Sequence, residues 1–250
     1  MKKGFLYLLV LITAISSCKK SEELSPVPIT DLYPLQAGKV FYYRLDSTIP
    51  SNDRLQLLKK SYNAKDSVDI EYLDNAGRKS FRIFRYLRDT LTPIANNSNW
   101  KYAATYYTSF DANRVEYIDN NLRFVTLTNP VREGSKWNGT QYINTSGGGS
   151  SSNPLGFYDN WTFEYQNTGQ DYQVKKGTIP DSYTVLHIDE TDPSGPLNPA
   201  SFQIRNLSYE VYAKGIGLIY KDFLHYNYQS PNGYDVAESF GIRLSLIDYK

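Results

Sequence analysis

A chain of 250 residues with 27 basic and 26 acidic side chains has a formal charge of +1. It carries neither the basic field that nucleic acid attracts nor an acidic field for cationic partners, so no nucleic-acid partner is expected. One cysteine rules out a disulfide framework, and two histidines leave few ways to build a nucleophilic triad or an imidazole metal site.

The first residues read as an export leader, residues 1–17. Lys2 and Lys3 form a positive start, Phe5 to Ile15 is apolar apart from Thr13, and Ile15-Ser16-Ser17-Cys18 follows with small residues at the cut. Eleven helical residues rise only about 16 Å, too short for the roughly 30 Å hydrocarbon core of a bilayer. The stretch is therefore an address rather than a permanent span. Ile15 to Cys18 resembles a lipobox, with Ile in place of the commoner Leu. In that reading Cys18 takes a diacylglycerol group as a thioether and becomes the first residue of the mature chain. An ordinary secretory leader with an incidental cysteine is the alternative. Each buried acyl methylene contributes about 0.8 kcal/mol, so two or three chains anchor a protein where one does not. The expected partner of Cys18 is thus a membrane. Lys19 is not the aspartate associated with inner-membrane retention in enteric bacteria, which favours the outer membrane; whether the protein would face periplasm or surface stays open. Removing the leader leaves 25 basic against 26 acidic residues.

Residues 18–31 are polar, contain Pro26 and Pro28 and lack an apolar period, which suits a flexible tether. From residue 32 to 250 the chain reads as one all-β domain of antiparallel strands, a strongly curved sheet or open barrel with little helix. Val68, Ile70 and Tyr72 alternate with polar neighbours, Asp74 to Gly77 turns the chain, and Phe81 to Leu87 returns as the second arm of a hairpin. Arg114–Ile118 and Leu122–Leu127 form another, joined by Asp119-Asn120-Asn121, whose side chains tolerate positive φ. Further strands are expected around Trp161–Tyr165, Tyr183–Ile188, Tyr209–Ala213, Ile216–Tyr220 and Phe240–Tyr249. Arg54 to Tyr62 puts Leu55, Leu58 and Tyr62 on one helical face, yet Leu55 and Leu57 also fit a strand. Residues 144–154, NTSGGGSSSNP, read as a long flexible loop. Residues 33–39 faintly echo residues 129–135: each has Pro, then Gly four residues later, then an aromatic entry to a strand.

No catalytic motif and no cofactor fingerprint is present. Gly215 and Gly217 make half of a dinucleotide pattern but read better as hairpin glycines. Gly147 to Ser150 lacks the strand and helix that a nucleophile elbow needs. His187 lies beside Asp189, Glu190 and Asp192, where solvated carboxylates explain the pattern better than a metal site; none is expected. His225, among Phe223, Tyr226 and Tyr228, reads as part of an aromatic strand face. The compositional outlier is 23 tyrosines with three tryptophans. Tyrosine is a favoured strand residue, but if a ligand surface exists, Trp100, Trp137 and Trp161 are its candidates. Asp46-Ser47-Thr48, Asp66-Ser67-Val68 and Asp89-Thr90-Leu91 resemble a three-residue O-glycosylation acceptor, which makes Ser47, Ser67 and Thr90 candidate modification sites.

Several stretches together resemble an uncharacterised lipoprotein family of the Bacteroidota: Tyr33-Pro34-Leu35 with Gly38 and Phe41-Tyr42-Tyr43, Gly77 to Ile83 and on to Arg88, and Asn121 to Phe124. Gly134-Ser135-Lys136-Trp137-Asn138-Gly139 and Glu210 to Lys221 are the sharpest. The resemblance implies a β-rich, lipid-anchored envelope protein and supplies no activity or functional residue. The preferred expectation is a non-catalytic envelope lipoprotein with a binding or structural role. Its alternatives are a carrier of an apolar or acyl ligand in a curved sheet, and a glycan-binding or glycan-cleaving module.

Overall fold

The computed structural model describes residues 27–96, 98–146 and 153–250. The expected leader, Cys18 and most of the expected tether lie outside these residues, as does the centre of the Gly/Ser stretch. A one-turn helix, α1 (Ile29–Leu32), is followed by thirteen strands. These are β1 (Val40–Pro50), β2 (Leu57–Leu73), β3 (Lys79–Arg88), β4 (Lys101–Phe110), β5 (Arg114–Asp119), β6 (Leu122–Thr128), β7 (Lys136–Asn138), β8 (Thr162–Val174), β9 (Gly177–Asp192), β10 (Phe202–Ala213), β11 (Gly217–Gln229), β12 (Gly233–Tyr234) and β13 (Phe240–Tyr249). A 3-10 turn at Gly156–Tyr158 precedes β8.

The strands form one sheet in the order β6-β5-β4-β3-β2-β1-β13-β11-β10-β9-β8-β7, with β12 appended to β11. The chain therefore winds around a cylinder one strand at a time, and antiparallel pairing of β1 with β13 joins its two ends. The result is a twelve-stranded, nearly closed barrel, the more closed of the architectures expected. Between β6 and β7 the ladder is replaced by isolated bridges. Val125 N donates to Gly139 O at 2.8 Å, Trp137 Nε1 donates to Val125 O at 2.7 Å, and the Tyr165 hydroxyl donates to Thr128 O at 2.9 Å while accepting from Thr128 N at 3.1 Å. These bonds occupy polar groups on strands that would otherwise be free edges. Gly139 is required there, because a Cβ would stand 2.4 Å from the Phe163 ring.

The faint sequence echo marks the start of each six-strand half. Gly38 and Gly134 have φ of 89° and 77°. Gly38 N donates to Val68 O on β2, and Val68 N donates back to Lys39 O; Gly134 N donates to Tyr165 O on β8, and Tyr165 N donates back to Ser135 O. Lys39 N to Gln36 O and Ser135 N to Arg132 O complete the match. The same turn thus starts β1 and β7, the first strands of two consecutive six-strand meanders.

Inward residues fill two clusters. One gathers Phe41, Leu45, Val68, Phe81, Ile83, Val211, Ile219 and Leu244; the other gathers Val115, Leu127, Trp161, Phe163, Tyr165, Val185 and Tyr212. One expected boundary moves here, and one open reading is decided. The tether ends earlier than residue 31, because Ile29 and Leu32 are 2% and 0% exposed in the second cluster and Asp31 O accepts a hydrogen bond from Gly215 N. An apolar pair of this kind gains more from burial than a solvated tether would. The weak helical period at Arg54–Tyr62 gives way to a turn closed by Ser51 N to Gln56 O, then strand β2. Leu55 and Leu58 remain exposed, so nothing would have held the apolar face of a helix.

Candidate functional site

α1 covers the end of the barrel at the β10–β11 turn. Toward the opposite end the interior is not filled. A cavity of about 410 Å³ opens between the β5–β6 turn, the 3-10 turn and the segment before β13. Its wall is aromatic and aliphatic: Leu122 and Phe124 from β6, Phe157 and Tyr158 from the 3-10 turn, Trp161, Phe223 from β11, and Phe240 and Ile242 from β13. The rings brace one another. Phe223 stacks on Phe240 at 5.5 Å, Tyr158 meets Trp161 edge-on at 4.9 Å, and Trp161 is tied by Nε1 to Phe157 O at 2.6 Å. Such mutual packing fixes rotamers and lets the wall itself shape the concavity.

The inner wall is polar. Glu210 on β10 accepts hydrogen bonds from Lys221 Nζ at 2.9 Å and the Tyr212 hydroxyl at 2.5 Å, and is 4% exposed. Lys221 faces Glu210 because β10 and β11 pair those two positions directly. Burial is the largest single influence on the Glu210 carboxyl and would raise it, but the Lys221 ammonium, His187 and the Tyr212 hydroxyl together outweigh it and bring the pKa down to about 2. His187 sits at a bulge in β9, opposite the step from Ser208 to Tyr209 on β10. The extra residue there lets His187 line the cavity while the adjacent Ile188 packs against the same core cluster. Its ring stacks on Phe163 at 3.7 Å, Nδ1 is 2.8 Å from Ser208 Oγ, and Nε2 lies 3.7 Å from Glu210 Oε2 without a hydrogen bond. Burial lowers the His187 pKa to about 4, so the ring is neutral at neutral pH.

A second, smaller space of about 80 Å³ lies deeper, sharing Tyr117, Asp119, Glu210, Lys221 and Ile242 with the first. Its far side is the bidentate pair of Arg85 Nε and Nη2 to Asp66 at 2.7 and 2.6 Å, with the Tyr106 hydroxyl also donating to Asp66. Asp66 and Arg85 are strand-paired neighbours on β2 and β3. Burial pushes the hydroxyls of Tyr43, Tyr106 and Tyr117 well above their usual range, which keeps them neutral donors.

The three tryptophans do not share a surface. Trp161 is in the cavity wall, and Trp137 is packed on Tyr165 at 4.8 Å beside the β6–β7 seam. Trp100 carries the Arg88 guanidinium on its face at 4.0 Å, far from both. His225 stacks on Phe157 at 4.1 Å and binds Asn206 Oδ1 through Nδ1, as an aromatic strand face would have it. The acids after His187 diverge from it: Asp189 pairs with Arg205 at 2.5 Å, and among the described residues no cluster of three or more His, Cys, Asp or Glu side chains is poised for a metal ion. Ser47 on β1, Ser67 on β2 and Thr90 after β3 are each partly exposed. Cys18 lies outside the described residues. The residues that sequence reasoning passed over are Glu210 and Lys221, quoted only within a family segment, and Phe157 and Phe240. No short-range pattern joins these positions; barrel closure does.

No protein-family model and no curated protein sequence matches the chain. Among solved structures it is similar to a provisionally exported protein with a YmcC-like fold from Bacteroides fragilis, at 11% identity and a TM-score of 0.32, covering 87% of this chain and 98% of that one. It is also similar to a provisional lipoprotein from Parabacteroides distasonis, at 10% identity and a TM-score of 0.33, covering 88% and 98%.

Proposed function

We propose that the protein is a non-catalytic binding protein of the cell envelope, lipid-anchored through Cys18 to the outer membrane, whose barrel takes up a small, mostly apolar ligand. The carrying observation is the open aromatic cavity of about 410 Å³, within the range of small-molecule sites and lined by rings with a few convergent polar groups. An apolar cavity favours the carrier over a purely structural role, which a filled core would have suited. Trp161 is buried and Trp137 is half-buried against Tyr165, so neither stands out as a ring face for sugar stacking. The buried carboxylate at the site is held ionised, whereas a general acid needs a raised pKa.

Calorimetric titration with 1-decanol tests the cavity. Leu122→Trp, which puts an indole into its mouth, is expected to weaken binding at least about tenfold, or about 1.4 kcal/mol; equal binding by the variant would remove the reading. The anchor is tested separately by Cys18→Ser. The expected product is soluble or uncleaved, and a variant still processed and pelleting with membranes would refute lipidation.

A further inference from the structure

Besides the phenols of Tyr117 and Tyr158, four ionisable side chains line the large cavity: Asp119, His187, Glu210 and Lys221. His187 is the neutral member of the set. The single cation, Lys221, is already engaged by Glu210 at 2.9 Å and rests over the Tyr117 ring at 5.4 Å. Asp119, which accepts a hydrogen bond from the Tyr117 hydroxyl at 3.2 Å, adds a second carboxylate near the mouth. The wall therefore has more negative than positive charge. An ammonium has three donors, and among the described residues Glu210 is the one side-chain acceptor bonded to Lys221, so this cavity-lining ammonium keeps donor capacity.

These groups set what head group an apolar ligand can carry. A carboxylate would either face two resident carboxylates or draw Lys221 away from Glu210. The second course leaves a buried charge unpaired, which is the costly way to break such a pair. A hydroxyl or amide avoids both: it accepts from Lys221, donates toward a carboxylate and adds no charge. Resting on the carrier reading above, we infer that the cavity selects amphiphiles with an uncharged hydrogen-bonding head, a fatty alcohol or amide, over free fatty acids. The head lies at the Lys221–Glu210 pair and the tail runs along Phe124, Trp161 and Phe223. Length follows from volume. At roughly 30 Å³ per non-hydrogen atom, as in liquid water, the cavity holds about a dozen such atoms.

The test compares 1-decanol with decanoate at pH 7.5, on the full chain carrying Cys18→Ser to keep acyl chains out of the titration. Wild-type residues at the site are expected to bind the alcohol at least about tenfold more tightly than the carboxylate. Glu210→Gln frees the Lys221 charge and is expected to shrink or reverse that ratio. Should this variant fail to fold, Asp119→Asn, at a partly exposed position near the mouth, removes one negative charge and is expected to narrow the ratio about threefold. Equal binding of both probes, or a tighter carboxylate, overturns the head-group inference while leaving the carrier reading intact. A ratio unmoved by the charge variants also overturns it. If neither probe binds, the carrier reading fails and this inference fails with it.

Discussion

The two spaces inside the barrel differ in what fills them. In the deeper one, Asp66, Arg85 and Tyr106 satisfy one another, and about 80 Å³ is left. In the outer one, rings brace rings around about 410 Å³. Charge explains the contrast. A buried ion pair must be enclosed by its own partners, since any donor or acceptor left over costs free energy, whereas an aromatic wall loses only dispersion contacts where it faces a void. A barrel of twelve strands is wide enough to need filling, and this chain fills it at one level with an ion pair and tyrosines set among apolar side chains and at the other surrounds a cavity with rings.

The largest expected effect lies in the polar level. Arg85→Met should leave Asp66 buried with a tyrosine as its remaining side-chain partner and cost about 3–5 kcal/mol of unfolding free energy. The double variant Arg85→Met/Asp66→Asn should recover much of that loss in denaturant melts. If the single variant melts like the wild type, the deeper level is not the enclosed polar plug described, and the contrast disappears.

Acid should sharpen the contrast. His187 has a folded pKa near 4 against an ordinary 6.5, and burial lowers His225 to about 4 as well. In both cases the unfolded chain binds the proton more readily, so stability is highest above about pH 6.5 and falls as pH drops from there toward 4. For fully buried His187 the loss is on the order of 3 kcal/mol. Glu210, depressed to about 2, has the same sign in a lower window: its contribution is present above about pH 4.5 and is lost as pH falls toward 2. His187→Gln should flatten the upper part of the curve. A wild-type profile level between pH 6.5 and 4 would contradict the burial of both rings.

Much of this architecture was legible because strand alternation and turn chemistry are local. The hairpins at Asp74–Gly77 and Asp119–Asn121 follow from residues a few places apart, and the Pro-to-Gly echo marked both meander starts. The cavity was not legible for the opposite reason. Phe124, Phe157, Trp161, Phe223 and Phe240 come together only when distant strands close around an axis, and each alone reads as an ordinary strand aromatic. His187 follows Tyr183 and Val185 onto the inward face by alternation, whereas the bulge that also brings Ile188 onto the core leaves no mark in an alternating sequence.

The smallest expected stability effect separates the two levels most clearly. Phe223 is only partly buried, because one side of its ring faces the cavity, and its stacking partner is Phe240 at 5.5 Å. Phenylalanine removed from a packed core costs about 3–5 kcal/mol, since every face of the ring loses contacts. Here one face already lacks them, so Phe223→Ala should cost only about 1–2 kcal/mol. Binding should respond in the opposite proportion, because that free face is what a guest would touch. Decanol affinity should fall at least about tenfold while the melt moves little. A large drop in stability with unchanged affinity would mean that Phe223 is ordinary core and that the open face of the barrel lies elsewhere.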